Sequence, residues 1–119
     1  DVRCFLVHPR SDVTMEMAEA HAKDYDLTMP LLLDPDYELV RAMKATVTPE
    51  AVVLRFDESG APVKIYQGQV NDLYASLGNR REHATQFWLR DAINAAREDR
   101  TVDVPFRAPI GCYIEPRGR

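Results

Sequence analysis

Two cysteines, Cys4 and Cys112, are the side chains of this sequence best suited to covalent chemistry. Cys112 lies in GCYIE within a proline-containing tail, where a thiol could reach another thiol, and Arg107 and Arg117 are candidates to assist its thiolate. The alternative is a small buried residue that anchors the tail, because free cysteine is often buried. Cys4, in the apolar run VRCFLV, is predicted to be inert core. A disulfide between the two would need Cα atoms within about 7 Å.

The three histidines, His8, His21 and His83, share no ligand spacing. His21 falls on a predicted helix, and the other two border loops. A tetrahedral metal site needs convergent ligands, so the sequence predicts no metal site and favours surface roles for these side chains. No cofactor is indicated.

The carboxylates occur in pairs, Asp34 with Asp36 and Asp57 with Glu58, that helix capping and turn formation explain. They are assigned no acid/base role. The sequence also lacks a glycine-rich phosphate cradle, a Gly-x-Ser-x-Gly elbow and a Walker lysine, which sets those enzyme classes aside.

The segment from Gln69 to Glu82 is long for a loop in so small a domain, and such loops are often functional. One interpretation is a polar rim beside the Thr48-Pro49 turn, formed by Asn71, Asp72, Tyr74, Arg80 and Arg81. The other is a solvated loop in which Tyr74 and Leu77 pack on the core, since scattered polar residues need no functional explanation.

The stretch from Thr46 to Phe56, TVTPEAVVLRF, places a proline directly before an apolar strand. Proline cannot donate to a strand ladder, so the strand is predicted at Val52–Phe56, just after Pro49. The bond from Thr48 to Pro49 is a candidate cis peptide, although spacing alone leaves its isomer open.

Around this corner the sequence predicts a β-α-α-β-β-α order followed by an extended tail. The run from Val2 to Val7 is typical of a strand covered on both faces in a parallel sheet. The other predicted elements are a helix at Val13–Tyr25 capped by Ser11 or Asp12, an extended segment at Leu27–Leu33, a helix from Asp34-Pro35 to near Lys44, a hairpin at Asp57–Gly60 into a strand with Val63, Ile65 and Gln67, a helix at Ala84–Arg97 capped by His83 or Thr85, and an extended tail from Thr101 that turns at Gly111-Cys112.

Composition narrows the function classes. The 119 residues suit one core and carry a formal charge of −4, from 15 basic and 19 acidic side chains. That balance argues against a phosphate-tracking surface, so nucleic acid is not the expected partner. No apolar run reaches the roughly 20 residues that span a bilayer. Localisation stays open between a bacterial cytoplasm and export, since we expect any signal to lie upstream.

Three stretches, VTPEAVVL, then YQGQVNDLYASLGNRR, then APIGCYIE, carry a family resemblance over nearly the whole chain. In this order they resemble the bacterial redoxin branch of the thioredoxin-like superfamily, related to peroxiredoxins and thiol-disulfide oxidoreductases. The resemblance implies a mixed sheet flanked by helices, with residues 1–100 as the C-terminal two thirds of the domain and 101–119 as a tail packed on it. It also implies that Thr48, beside a cis Pro49, offers its backbone to a bound partner chain.

The sequence departs from that family by lacking the active-site cysteine motif, which in the family precedes the matching segment. We therefore expect the C-terminal portion of a thiol-disulfide oxidoreductase or peroxide-reducing redoxin, with Cys112 as a candidate second thiol and no dithiol activity of its own. Its substrate would be a thiol or disulfide protein, or a peroxide. A second hypothesis is a non-catalytic module for protein binding or assembly. A third is that another copy or chain completes the sheet.

Overall fold

A computed structural model describes residues 2–76 and 78–114 of this chain. The fold is a mixed α/β arrangement of several small sheets with flanking helices. The chain divides into two units, residues 2–45 with Ile114, and Thr46–Tyr113. The elements in chain order are β1 (Leu6–His8), α1 (Met15–Asp24), β2 (Leu31–Leu33), α2 (Glu38–Met43), β3 (Val47–Thr48), β4 (Ala51–Phe56), β5 (Pro62–Gly68), β6 (Tyr74–Ser76), β7 (Asn79–Arg80), α3 (Trp88–Arg97), β8 (Phe106–Arg107) and β9 (Cys112–Tyr113).

The first unit is built on a parallel pair of strands. Strand β1 pairs with β2 in the register Leu6 to Leu31 through His8 to Leu33. Parallel neighbours need a crossover connection, and α1 supplies it while packing against β2. Among the described residues, β1 and β2 pair with no further strand.

The first strand is shorter and more exposed than its apolar run predicts. Only Leu6–His8 is extended in a ladder, whereas the residues before it are exposed, Phe5 by 52%. The prediction of a strand covered on both faces from Val2 to Val7 is therefore wrong. The physical reason is that β2 offers just three residues to pair with, so the chain before Leu6 has no ladder to join.

Helix α1 begins later than predicted and has a different cap. The Thr14 hydroxyl accepts a hydrogen bond from the Met17 amide at 3.2 Å, while the Asp12 carboxylate receives the Arg10 guanidinium at 2.7 Å. Because Asp12 is engaged by Arg10, capping is done by Thr14. The helix buries Ala18 and Ala22 and leaves its longer side chains outside.

Asp34 caps the start of helix α2 from four residues before the helix begins. The buried Asp34 carboxylate accepts hydrogen bonds from the amides of Glu38 at 2.8 Å and Val40 at 3.0 Å. A turn therefore separates Asp34 from the helix, and the prediction that Pro35 occupies the first helical position is wrong. The predicted end near Lys44 is confirmed, since Lys44 adopts a left-handed conformation there.

The second unit contains a three-stranded sheet in the order β4-β5-β8. The predicted hairpin is confirmed: β4 and β5 are antiparallel, and Gly60 has a φ of +85°. The Asp57 carboxylate closes the turn by accepting from the amides of Ser59 and Ala61, each at 2.9 Å. Helix α3 packs on β4 and β5 and buries Ala92 and Ala95.

The described part of the tail, residues 101–114, contains no helix, as predicted, and it pairs with strands of the second unit at two places. Strand β8 runs parallel to the end of β5, and β9 runs antiparallel to β3. Strand β4 is an edge strand within the described part of the chain. No helix in residues 2–76 and 78–114 is long and apolar enough to cross a membrane.

Candidate functional site

The candidate site is the Thr-Pro corner, defined as Thr48 and Pro49 between β3 and β4. The peptide bond between these two residues is cis, the isomer that the family resemblance implies. Glu50 fixes the approach to the corner, because its Oε1 accepts from the amides of Thr46 at 2.9 Å and Val47 at 3.3 Å. Glu50, the residue that follows the corner, therefore fixes the backbone that leads into it.

A second carboxylate oxygen of Glu50 joins the corner to the sheet. Its Oε2 accepts a hydrogen bond of 2.6 Å from the Gln67 amide group, and Gln67 is 8% exposed at the end of β5. The Lys64 ammonium donates to the side-chain oxygen of Gln67, Oε1, at 2.6 Å. Sequence reasoning assigned neither Glu50 nor Gln67 to the site. The available signal was a carboxylate placed directly after Thr-Pro.

The chain's own tail covers one edge of the corner. In the β3–β9 ladder, Cys112 is opposite Thr48 and Tyr113 is opposite Val47. Gly111 approaches so closely that a Cβ built on it would lie 2.1 Å from the Thr48 carbonyl oxygen. The structure therefore brings together the three predicted site residues, Thr48, Pro49 and Cys112.

The two thiols differ from their sequence predictions in exposure. Both Cys4 and Cys112 are free and exposed. Cys4 precedes β1 instead of lying inside it, so the prediction of inert core is wrong. For Cys112 the exposed state excludes the buried-anchor alternative, because its side chain projects from a two-residue ladder at the surface. Arg107 places its guanidinium 4.3 Å from the Trp88 ring centroid, and Arg117 lies outside the described residues.

The long loop is organised by Asp72. This carboxylate accepts from the Thr85 amide at 2.6 Å, the Thr85 hydroxyl at 2.5 Å and the Gln86 amide at 2.8 Å. The hydrogen bond from the Gln86 backbone amide, followed in size by that from the Thr85 hydroxyl, lowers the pKa of Asp72 to about 2. Because the Thr85 amide and hydroxyl donate to Asp72, Thr85 does not cap α3. The helix begins at Trp88 and not at the predicted Ala84.

The rest of the loop forms the small hairpin β6–β7. The residues of the predicted polar rim differ in exposure: Asp72 is buried, at 7% exposed, whereas Tyr74 is 46% exposed. The interpretation in which Tyr74 packs on the core is therefore wrong, and Leu77 lies outside the described residues. Asp72 therefore anchors the loop, and Arg81 Nε lies 3.8 Å from its Oδ2.

The histidines do not converge on a metal site. The rings of His8 and His21 meet edge to face at 5.6 Å, and His83 is an exposed loop residue. Burial, followed by the proximity of His21, lowers the pKa of His8. Among the described residues, no group of three or more His, Cys, Asp or Glu side chains could hold a metal ion.

Tyr66, in β5, is a fully buried tyrosine. Its hydroxyl donates to the Gln69 carbonyl, and burial raises the pKa of Tyr66 to about 12 while Arg107 opposes the shift. A tyrosine that stays protonated to such high pH is a structural donor, so we assign it no proton-transfer role.

No family model matches this sequence, and no curated protein matches it. Solved structures that are similar to this chain include the following two. One is a hypothetical protein, SMc02350, from Sinorhizobium meliloti 1021, with a TM-score of 0.72, 24% identity, and coverage of 94% of this chain and 60% of that chain. The other is an uncharacterized conserved protein from Geobacillus kaustophilus, with a TM-score of 0.73, 22% identity, and coverage of 98% and 61%. At these identities the likeness shows a shared fold alone, and the chain spans about 60% of the length of each.

Proposed function

We propose that this chain is the C-terminal portion of a thioredoxin-like thiol-disulfide oxidoreductase or peroxide-reducing redoxin. The Thr-Pro corner is the wall that faces the substrate, and Cys112 is a second thiol. The single observation that carries the proposal is that the backbone of Thr48 lies in an antiparallel ladder with an extended chain that places a cysteine opposite it. That geometry suits thiol exchange, because strand pairing at Thr48 would hold the sulfur of a partner chain in place while a mixed disulfide forms.

The open strands support the same proposal. Strand β4, with the sequence AVVLRF, is an edge strand, and β1 pairs only with β2 among the described residues. An apolar edge strand with unpaired backbone groups is a template for another strand. In the proposed domain, the strand that leads to the nucleophilic cysteine would occupy such an edge. The two similar structures, each longer than this chain, are compatible with an additional segment.

The proposed chemistry uses two sulfurs. The thiolate of the adjoining active-site cysteine attacks a substrate disulfide, which gives a mixed disulfide and releases one substrate thiol. The thiolate of Cys112 then attacks the protein sulfur of that mixed disulfide, so the second substrate thiol leaves and the protein is left oxidised. With a peroxide, the first product is a sulfenic acid and an alcohol or water, and condensation with Cys112 releases water.

The complete gene product tests the proposal directly. We expect an active-site cysteine in the segment encoded before residue 1, and reduction of insulin disulfides or consumption of hydrogen peroxide with dithiothreitol as the reductant. Replacing Cys112 by serine should leave the first thiol step and abolish formation of the protein disulfide, whereas the matched Cys4→Ser change should alter neither. A complete product that has no such cysteine, or that is inactive in both assays, contradicts the proposal.

The alternative is a non-catalytic thioredoxin-like module for protein binding or assembly. The observation that favours it is the same ladder, because strand pairing at Thr48 needs no redox chemistry. A related form is a second copy of this chain that pairs along an open strand edge. Light scattering on the purified chain separates these, since a strictly monomeric species removes the copy-completed sheet.

A further inference from the structure

The tail approaches the Thr-Pro corner most closely at Gly111, a residue that has no side chain. A Cβ on Gly111 would lie 2.1 Å from the carbonyl oxygen and 2.7 Å from the carbonyl carbon of Thr48, and 3.1 Å from the nitrogen of Pro49. All three neighbours are backbone atoms, which cannot move aside as the end of a flexible side chain can. In this register only glycine lets an extended chain reach the Thr-Pro corner.

The residues that follow the glycine add little burial. Cys112 is exposed and Tyr113 is 82% exposed, so the ladder to β3 is held chiefly by backbone pairing over two residues. A contact of this kind is available to any extended chain with a compatible backbone.

The tail is fastened immediately before this segment. The Gln69 side-chain amide donates to the Ala108 carbonyl at 2.8 Å, and the Gln69 backbone amide donates to the Arg107 carbonyl at 3.1 Å. Pro109 follows, an extended residue that donates no hydrogen bond. Residues 109–113 can therefore leave the corner while the chain up to Ala108 stays in place.

We propose that the Thr-Pro corner is a docking edge selective for extended polypeptides with a glycine at the register of Gly111, and that residues 110–113 are its intramolecular occupant, displaced when a partner chain binds. This inference rests on the proposed function, in which a partner chain pairs with Thr48. It adds the chemical class of that partner and a built-in competitor. Covalent attachment gives the occupant an effective concentration of roughly millimolar, so a partner in solution competes at a disadvantage.

The test uses the full chain and a synthetic peptide. The probe is a fluorescently labelled peptide with the sequence of residues 108–114, in which serine replaces the cysteine so that no disulfide can form. In Gly111→Ala the tail should be expelled by its own Cβ, which leaves the corner vacant. We expect the probe to bind Gly111→Ala at least about tenfold more tightly than the wild-type chain, because the vacant edge is the competent state.

Two controls complete the design. A probe in which alanine replaces the glycine should bind neither protein, and Tyr113→Ser should bind the original probe as the wild type does, because Tyr113 is exposed. Should Gly111→Ala fail to fold, Cys112→Pro expels the tail by another route, because proline lacks the amide hydrogen of a ladder residue. Loss of amide hydrogen-exchange protection in β9, and at Thr48 opposite it, verifies that the tail has left.

The inference is overturned if the probe binds both proteins equally, binds neither, or binds equally well with alanine in place of glycine. These outcomes are independent of redox activity. Peptide docking by a complete gene product without oxidoreductase activity would support the docking edge and remove the proposed function, whereas activity without glycine-selective docking would do the reverse.

Discussion

Two glycines, Gly68 and Gly111, meet the backbone of another segment in the same way but in different surroundings. A Cβ on Gly68 would lie 1.8 Å from the Arg107 carbonyl oxygen, and one on Gly111 would lie 2.1 Å from that of Thr48. Each contact joins the tail to an earlier strand. The comparison shows that close approach alone does not decide how firmly a segment is held.

The contact at Gly68 belongs to a fastened part of the tail. Around it, the Gln67 amide donates to the Pro105 carbonyl at 3.0 Å, and the guanidinium of Arg107 lies over Trp88. The contact at Gly111 is followed only by the exposed two-residue ladder of β9. The tail is thus a fixed segment, residues 105–108, joined through Pro109 to a segment that can be exchanged, residues 110–113.

The largest effect is expected from Gly68→Ala. Gly68 has a φ of +138° and faces a backbone oxygen, so alanine meets both conformational strain and overlap. We expect a loss of roughly 3 kcal/mol in the free energy of unfolding, measured by urea denaturation. Gly60→Ala is the matched control, because Gly60 also has positive φ but open space around its Cα. Equal losses in the two variants would show that the Arg107 contact yields easily.

Asp72→Asn should give the next largest effect and a change in pH dependence. The folded pKa of Asp72, about 2, lies below its ordinary 3.8, so the carboxylate stabilises the fold above about pH 4, and this contribution is lost as the pH falls from 4 through 2. The asparagine variant should melt at a lower temperature at pH 7 and lose less further stability over that window. Thermal melts at pH 7, 4 and 2 measure this. An unchanged slope would mean that Asp72 is not the group that titrates.

Arg107→Gln should have a smaller effect. It removes the cation that lies 4.3 Å from the Trp88 ring centroid, which we expect to cost about 0.5–1 kcal/mol in the free energy of unfolding. Trp88 is the only tryptophan in the chain, so its fluorescence should change with the substitution. Arg90→Gln is the matched control, since Arg90 lies 4.1 Å from the Phe87 ring centroid. A fluorescence change as large in the control would contradict this assignment.

The smallest effect on stability is expected from Cys112→Ser. The side chain is exposed, so the free energy of unfolding should stay within about 0.5 kcal/mol of the wild type. A thiol reagent should modify two residues in the native wild-type chain and one in the variant. A clear drop in melting temperature would instead mean that the Cys112 thiol packs in the interior.

Much of the fold follows from local sequence signals. The Asp57–Gly60 turn, the two strands that it joins and the end of α2 at Lys44 are confirmed, because each depends on residues close in the chain. The errors in helix capping have two causes. Thr85 is a good capping residue by type, but Asp72, thirteen residues earlier in the chain, engages it. Asp34 caps a helix that begins a turn later than predicted, at a local boundary that residue type alone does not fix.

The candidate site was likewise predicted only in part from the sequence. The sequence singled out Thr48, Pro49 and Cys112 by residue type, motif and resemblance. It did not predict the Glu50 carboxylate that binds the backbone before the corner, or the Gln67 side chain at its other oxygen. The contact with Gln67 depends on how β5 returns beside β4, which the hairpin register sets, whereas the contacts of Glu50 with the Thr46 and Val47 amides are local.

The sequence by itself determined the positions of turns, the proline before β4 and the glycine before Cys112, because backbone conformation at these residues is limited by their own covalent structure. Only the tertiary structure decided that Gly111 faces Thr48 and that both thiols are exposed. Pairing between residues more than sixty positions apart is set by packing and ladder register, which no local pattern specifies.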